Sequence, residues 1–537
     1  MSALRVTASG AAAAAVADAV PTLVTDGFAS RLFGQDPTLW GPAAEPEAAK
    51  RLSWVSLPSA SQPLVAQITT LRDELAAAGI DRVVLCGMGG SSLAPEVICR
   101  SADVPLVVLD SSDPDVVRGA LTDLERTVAV VSSKSGSTVE TDSQRRAFEA
   151  AFADAGLDPT RHVVVVTDPA SPLDRDARDR GFRVINADPD VGGRYSALTA
   201  FGLVPSGLAG ADIGALLDEA EAVADLLAAD DEANPGLRLG AAIGATAPLR
   251  DKLFLVEAGT DIVGFGDWAE QLIAESTGKN GTGILPVVAA APAEVAEDMT
   301  VCLLVGAEDD PAPSGPSVIT VGGTLGAQML LWETATAAAG RLLGINPFDQ
   351  PDVESAKAAA RGLLEQSGSA PVAPAFTDGG VEVRALGGDW LGAASTLRAA
   401  VDAVLGQCDP AHGYVGVMAY LDRSVDARVA DVQAALAART HRPVTFGWGP
   451  RFLHSTGQYH KGGPPTGVYI QVTATPHEDL AIPGRDFTFG DVIDAQAAGD
   501  AQVLADHGRP VLRLHCADHG PALDAVVAAL TAPGAQA

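Results

Sequence analysis

Six of the 537 residues are lysine, against thirty arginines, and four of the six lie in dense polar segments. They are Lys134 in VVSSKSGSTVET, Lys279 in AESTGKNGTG, Lys357 in NPFDQPDVESAK and Lys461 in HSTGQYHKGGP. An ammonium is a compact, strongly hydrated point charge, whereas a guanidinium is a planar fork. In a chain that otherwise relies on arginine, lysines kept beside hydroxyls and carboxylates predict one anion-handling site assembled from distant segments.

Two glycine- and serine-bearing turns sharpen that expectation. Ser133-Lys134-Ser135-Gly136-Ser137-Thr138 places four hydroxyls and an ammonium at the start of a helix, a cradle suited to a phosphomonoester. Gly87-Met88-Gly89-Gly90-Ser91-Ser92 also follows a strand and opens a helix, so its backbone can approach an anion closely. Neither turn has the nucleotide spacings G-x-x-x-x-G-K-[ST] or G-x-G-x-x-G, which argues against a nucleotide. The bland reading of both is a tight strand-to-helix connection. Gly192-Gly193-Arg194 could present a guanidinium to a developing oxyanion, or simply a surface ion pair. Glu275 falls in the last turn of a helix that stops at Gly278, where the dipole disfavours an anion and suits a general base. Solvated glutamates are far commoner.

The elements that must hold these residues can be read from hydrophobic runs. From Asp81 the chain alternates short continuous Val/Ile/Leu runs (RVVLCG, PLVVLD, TVAVVS, HVVVVT) with helical segments. Unalternated runs mark strands buried on both faces of a parallel sheet. The predicted fold class is α/β, with two open, doubly wound parallel-sheet domains and an α/β C-terminal section. The expected divisions are an N-terminal helical extension (1–54), a first domain (55–210), a second domain (211–365), a Ser/Pro/Gly-rich linker (366–379) and a C-terminal section (380–537). The two glycine turns then lie at neighbouring strand ends, which puts a ligand at the carboxyl edge of the first sheet.

Composition narrows the function classes. A formal charge of −32 argues against nucleic acid or an anionic membrane as partner. Five scattered cysteines without a C-x-x-C fit a reducing cytoplasm better than a disulfide framework or a zinc site. No apolar run approaches the about 20 residues that a membrane span needs.

Six blocks, GMGGSSLAPEV, SSKSGSTVET, VGGRYSALTAFGLVP, AESTGK, NPFDQPDVESAK and LHSTGQYHKGG, together resemble the phosphoglucose isomerase family, whose members carry paired sugar-isomerase (SIS) domains. The resemblance spans roughly residues 80–465. It implies an aldose–ketose isomerase that interconverts glucose 6-phosphate and fructose 6-phosphate through ring opening and an enediolate, in glycolysis and gluconeogenesis, as a cytoplasmic homodimer without cofactor or metal. Gly90, Ser91, Ser133, Lys134, Ser135 and Thr138 would bind the phosphate. Gln350 and Lys357 would hold the sugar and help open its ring. Glu275 would move the proton between C2 and C1, and Arg194 would balance the enediolate charge. The family histidine matches His454, because its neighbour His460 does not keep the spacing to Gly-Gln.

Two departures stand out. In the family order the histidine block lies between the glutamate and NPFDQP blocks, but here Lys357 precedes His454 by almost a hundred residues. The C-terminal section is therefore expected to duplicate or replace part of the second domain, with His454 reaching Glu275 across a homodimer interface. Asp352 also stands where the family usually has glycine. The alternatives are a dual phosphoglucose/phosphomannose isomerase and a non-catalytic SIS-type sugar-phosphate sensor.

Overall fold

The computed structural model describes residues 4–289, 295–309, 311–351, 361–362, 364 and 373–533. The strands in chain order are β1 (Arg5–Ser9), β2 (Arg82–Gly87), β3 (Val107–Leu109), β4 (Thr127–Ser132), β5 (Val163–Thr167), β6 (Arg183–Asn186), β7 (Lys252–Glu257), β8 (Leu285–Val288), β9 (Met299–Val305), β10 (Ser317–Gly322), β11 (Phe376–Asp378), β12 (Val381–Leu386), β13 (Tyr414–Tyr420), β14 (Val444–Trp448), β15 (Gly467–Ala474) and β16 (Val511–Cys516). They form three sheets, ordered β3-β2-β4-β5-β6, β1-β10-β9-β7-β8 and β11-β12-β16-β15-β13-β14.

The first sheet is parallel throughout. Every residue of β4 and β5 is buried, as their unbroken apolar runs require when helices cover both faces. The register pairs Gly87 at the end of β2 with Ser132 at the end of β4. The two polar turns therefore leave the sheet side by side at its carboxyl edge. Helix Val139–Asp154 carries Glu140 and Asp142 in its first turn, where carboxylates meet the positive end of the dipole.

The second sheet is parallel in β10-β9-β7-β8, but its edge is β1, paired antiparallel from Arg5 to Ser9 against Gly322 to Val318. The N-terminal segment is thus not only helical. Its alanine-rich helix, Gly10–Thr25, follows directly, and the strand before it is too short to announce itself by pattern. Helix Leu325–Leu343 is buried along most of its length and stops at Gly344, whose φ of 69° needs glycine.

The third section has its own six-stranded mixed sheet rather than strands added to the second. The range expected to be linker contributes β11, paired antiparallel with β12 from Phe376 to Asp378. Ile482, Phe489 and Val492 of this section join the core of the first domain around Phe148 and Phe152. Tyr414, Met418, Tyr459 and Tyr469 join Phe254, Leu285 and Val287 of the second sheet. Each large apolar side chain so buried contributes about 1.5–3 kcal/mol. A buried Arg442–Asp298 pair at 2.5 Å, with Lys252 3.0 Å from the same carboxylate, adds a charged cross-link. Among the described residues all five cysteines are free, and no helix is long and apolar enough to cross a membrane.

Candidate active site

Arg194 is the centre of the site. It sits in the turn Gly193–Tyr195 and is 3% exposed, so its charge must be met inside the protein. Its Nη1 lies 3.2 Å from Glu275 Oε1 and donates to Gln350 Oε1 at 2.7 Å. Its Nη2 donates to the carbonyls of Pro347 and Asp349 at 3.2 and 2.9 Å. One planar fork thus joins the glutamate helix to the NPFDQ turn through four acceptors. Next door, Tyr195 stacks on Trp54 at 5.2 Å and packs against Phe348 at 5.6 Å, while Trp40 meets Phe348 edge-on at 4.8 Å. The N-terminal segment therefore braces both turns.

Glu275 lies in the last turn of the helix Phe265–Thr277 and is 6% exposed. Its Oε2 accepts from Gln271 Nε2 at 3.2 Å, and the same amide donates to the His454 carbonyl at 2.7 Å. Lys279 follows just past the helix end. Burial first, then the charge of Arg194, pushes its pKa down to about 8, although Asp349 opposes the shift. Its Nζ lies 2.7 Å from Asp349 Oδ1 and donates to the Asn346 carbonyl at 2.8 Å. Lys279 is therefore a tether of the NPFDQ turn.

His454 closes a turn, Arg451–His454, that is pinned to the first domain. Arg451, with only 11% of its side chain exposed, lies 2.6 Å from Glu96 and 3.2 Å from Asp110. His454 Nε2 sits 3.1 Å from Glu140 Oε1, which also accepts from Gln496 Nε2 at 2.6 Å. Gln458 Nε2 donates to the Gly278 carbonyl at 2.9 Å. A Cβ at Gly278 would stand 2.5 Å from Tyr459 Cα, so glycine is what lets the two blocks touch. The sequence placed His454 at this site across a homodimer interface; within the single chain its backbone already meets the glutamate helix. The third section folds back on its own chain, and the Gln271 amide bridges His454 to Glu275. His460, the rival, is sealed among Tyr414, Phe452 and Tyr469, and burial pushes its pKa down to about 3.

The two polar turns are less uniform. Ser133 Oγ accepts from Gly136 N at 3.1 Å, and Ser135 Oγ meets Ser137 Oγ at 2.7 Å, while Thr138 lies 3.4 Å from Ser133. Gly90 packs so tightly on Gly193 that a Cβ would stand 1.9 Å from the Gly193 carbonyl oxygen. Any side chain at Gly90 would push the Arg194 turn away. Lys134 pairs with Asp168 at 2.7 Å and lines a cavity of about 340 Å³ with Arg51, Glu47, Gly192, Gly193, Arg194 and Gln350 among its walls. Gly90, Ser91, Ser133, Ser135, Thr138, Glu275 and His454 are not among those walls. The reading of Lys461 as part of an anion site is corrected: its Nζ is 2.5 Å from Asp500, with both side chains 1% exposed. Lys357 and Asp352 lie outside the described residues.

Sequence reasoning missed Gln271, Glu140, Asp349 and Arg51. Glu140 and Asp349 lay inside the quoted blocks. Gln271 stands one helical turn before Glu275, which i, i+4 spacing could have flagged. Arg51 left no signal. Also missed was Glu270, which borders a second cavity of about 450 Å³ and whose pKa burial and then Asp267 push up to about 8.

A parallel first sheet with polar turns at its carboxyl edge, and a buried Glu–Arg pair beside them, fit the SIS-type α/β class that the six sequence blocks resemble. No protein-family model matches the chain. A probable glucose-6-phosphate isomerase from Natronomonas pharaonis is 31% identical over 338 residues, covering 53% of this chain and 79% of that protein. Another from Haloarcula marismortui is 35% identical over 233 residues, covering 40% of this chain and 51% of that protein, so the chain spans only about half of that relative. Among solved structures, a hypothetical protein from Thermus thermophilus is 25% identical with a TM-score of 0.56, covering 68% of this chain and all of that one. The chain belongs to the glucose-6-phosphate isomerase family.

Proposed function

We propose that the chain interconverts glucose 6-phosphate and fructose 6-phosphate, with the site residues in the roles the resemblance implies. The observation that carries this reading is the buried Glu275–Arg194 pair, linked through Gln271 to His454 in the same chain. Isomerisation moves one proton between adjacent carbons and is redox-neutral overall. It needs a base, a counter-charge for the enediolate and a group that opens the ring.

His454, oriented by Glu140, would exchange the proton with the ring oxygen. Glu275 would then carry the proton from C2 to C1 while Arg194 offsets the developing charge. Ser133, Lys134, Ser135 and Thr138, with Gly90 and Ser91 on the neighbouring turn, would grip the phosphate, and that remote binding would orient the reacting carbons. Gln350 and Lys357 complete the proposed set. The homodimer and cytoplasmic setting belong to the same proposal, but its chemistry calls on no histidine from a partner. A coupled assay on purified protein with fructose 6-phosphate, without added nucleotide, tests the reading. Binding without turnover would replace it with a sugar-phosphate sensor.

Two further outcomes follow from the assigned roles. Lys134→Ala with Ser135→Ala should weaken binding of sugar phosphate and inorganic phosphate alike, and the wild-type affinity should fall with salt. Unchanged affinity by calorimetry would make the turn structural. His454→Ala should lose activity on the cyclic sugar while keeping it on an open-chain analogue. With His454 acting within its own chain, as proposed, the wild-type specific activity should not fall on dilution. Equal loss on both sugars would assign His454 another role.

A further inference from the structure

We propose that Asp115, His477 and His519 form a binding site for a divalent transition-metal ion of the zinc class, which ties the third section to the first domain. One ligand atom from each residue lies within 4.8 Å of those of the other two. Asp115 stands in the first turn of helix Pro114–Ala120, whereas His477 follows β15 and His519 follows β16. An ion held by all three would join segments more than 350 residues apart in sequence.

The two imidazoles are stacked, with ring centroids 5.1 Å apart and planes at 18°. His477 Nδ1 lies 3.0 Å from Asp115 Oδ2. His519 Nδ1 lies 2.7 Å from Asp426 Oδ2, and the Asp426 side chain has no exposure. A buried carboxylate at that distance fixes the proton on Nδ1 and leaves Nε2 with its lone pair, the usual outer-shell arrangement behind a metal-bound imidazole. His519 Nε2 is itself buried and has no hydrogen-bond partner among the described residues. The His519 side chain is about nine-tenths buried, with an exposure of 9%. A buried ring nitrogen without a donor lacks a partner that an ion would supply.

The charges around the cluster are matched. Arg118 holds Asp115 Oδ1 at 2.6 Å, and Arg428 donates to the His519 carbonyl at 2.7 Å and to Asp426 Oδ1 at 3.3 Å. Asp115 Oδ2 remains the oxygen turned to the histidines. Two imidazoles and a carboxylate are the donor set that suits zinc, cobalt or nickel over calcium or magnesium. His477, 71% exposed, can swing to close the shell, and water takes the fourth position. The cluster shares no residue with the proposed sugar site.

The test uses the full chain, freed of metal with a chelator and titrated with cobalt and then zinc. One ion per chain is expected, with cobalt giving visible d–d bands that zinc abolishes, and with zinc raising the Tm. His477→Ala removes an exposed side chain and should leave folding and isomerase activity intact while weakening zinc binding at least ~10-fold. Asp426→Asn should weaken it ~10–100-fold. If wild type binds no zinc above buffer, or binds it no better than His477→Ala, the cluster is a hydrogen-bonded His–Asp network and the proposal fails.

Discussion

Replacing Glu275 with glutamine is expected to lower kcat by at least ~10²-fold while leaving phosphate-dependent affinity largely unchanged. The amide keeps the shape of the carboxylate. Its one carbonyl oxygen can still accept from Arg194 or from Gln271, each of which lies 3.2 Å from a carboxylate oxygen in the wild type. It cannot take a proton from carbon. Substrate grip, assigned to the Ser133–Thr138 turn, would not be touched. A variant that raises KM and spares kcat would make Glu275 a binding group.

Arg194→Met should be the more damaging change. Removing one preorganised donor from a developing oxyanion costs about 10²–10³-fold in kcat. Here the guanidinium also meets Gln350 and the carbonyls of Pro347 and Asp349, so the NPFDQ turn would loosen. Leaving Glu275 buried without its partner should destabilise the fold by about 3–5 kcal/mol. Arg194→Lys keeps the charge but cannot span all four acceptors, so an intermediate loss is expected. Added guanidinium should restore part of the turnover of Arg194→Met if the charge itself acts in the reaction. Wild-type kcat in Arg194→Met, measured on folded protein, would overturn the assignment.

The α/β class was legible because β4 and β5 are unbroken apolar runs, and burial on both faces of a parallel sheet demands that pattern. The polar turns at the ends of β2 and β4 were legible for a related reason: strand, turn and helix follow one another within a few residues. The edge strand β1 was not, since five residues ahead of an alanine helix carry too little periodicity.

The sequence by itself determined which residue types were on hand, namely a carboxylate at a helix end, a guanidinium on a glycine turn and a histidine in HSTGQ, and it tied them to one family. Only the tertiary structure decided which of them meet. His454 reaches Gln271 and Glu140 because Arg451 pins its turn to Glu96 and Asp110, more than 340 residues earlier. Lys134 and Lys461 sit in equally polar motifs, yet one lines a cavity and the other is sealed against Asp500. Local pattern reports the periodicity of an element and the chemistry within a turn. Burial and charge pairing depend on which surfaces close over a side chain, and segments well outside its own motif supply those surfaces.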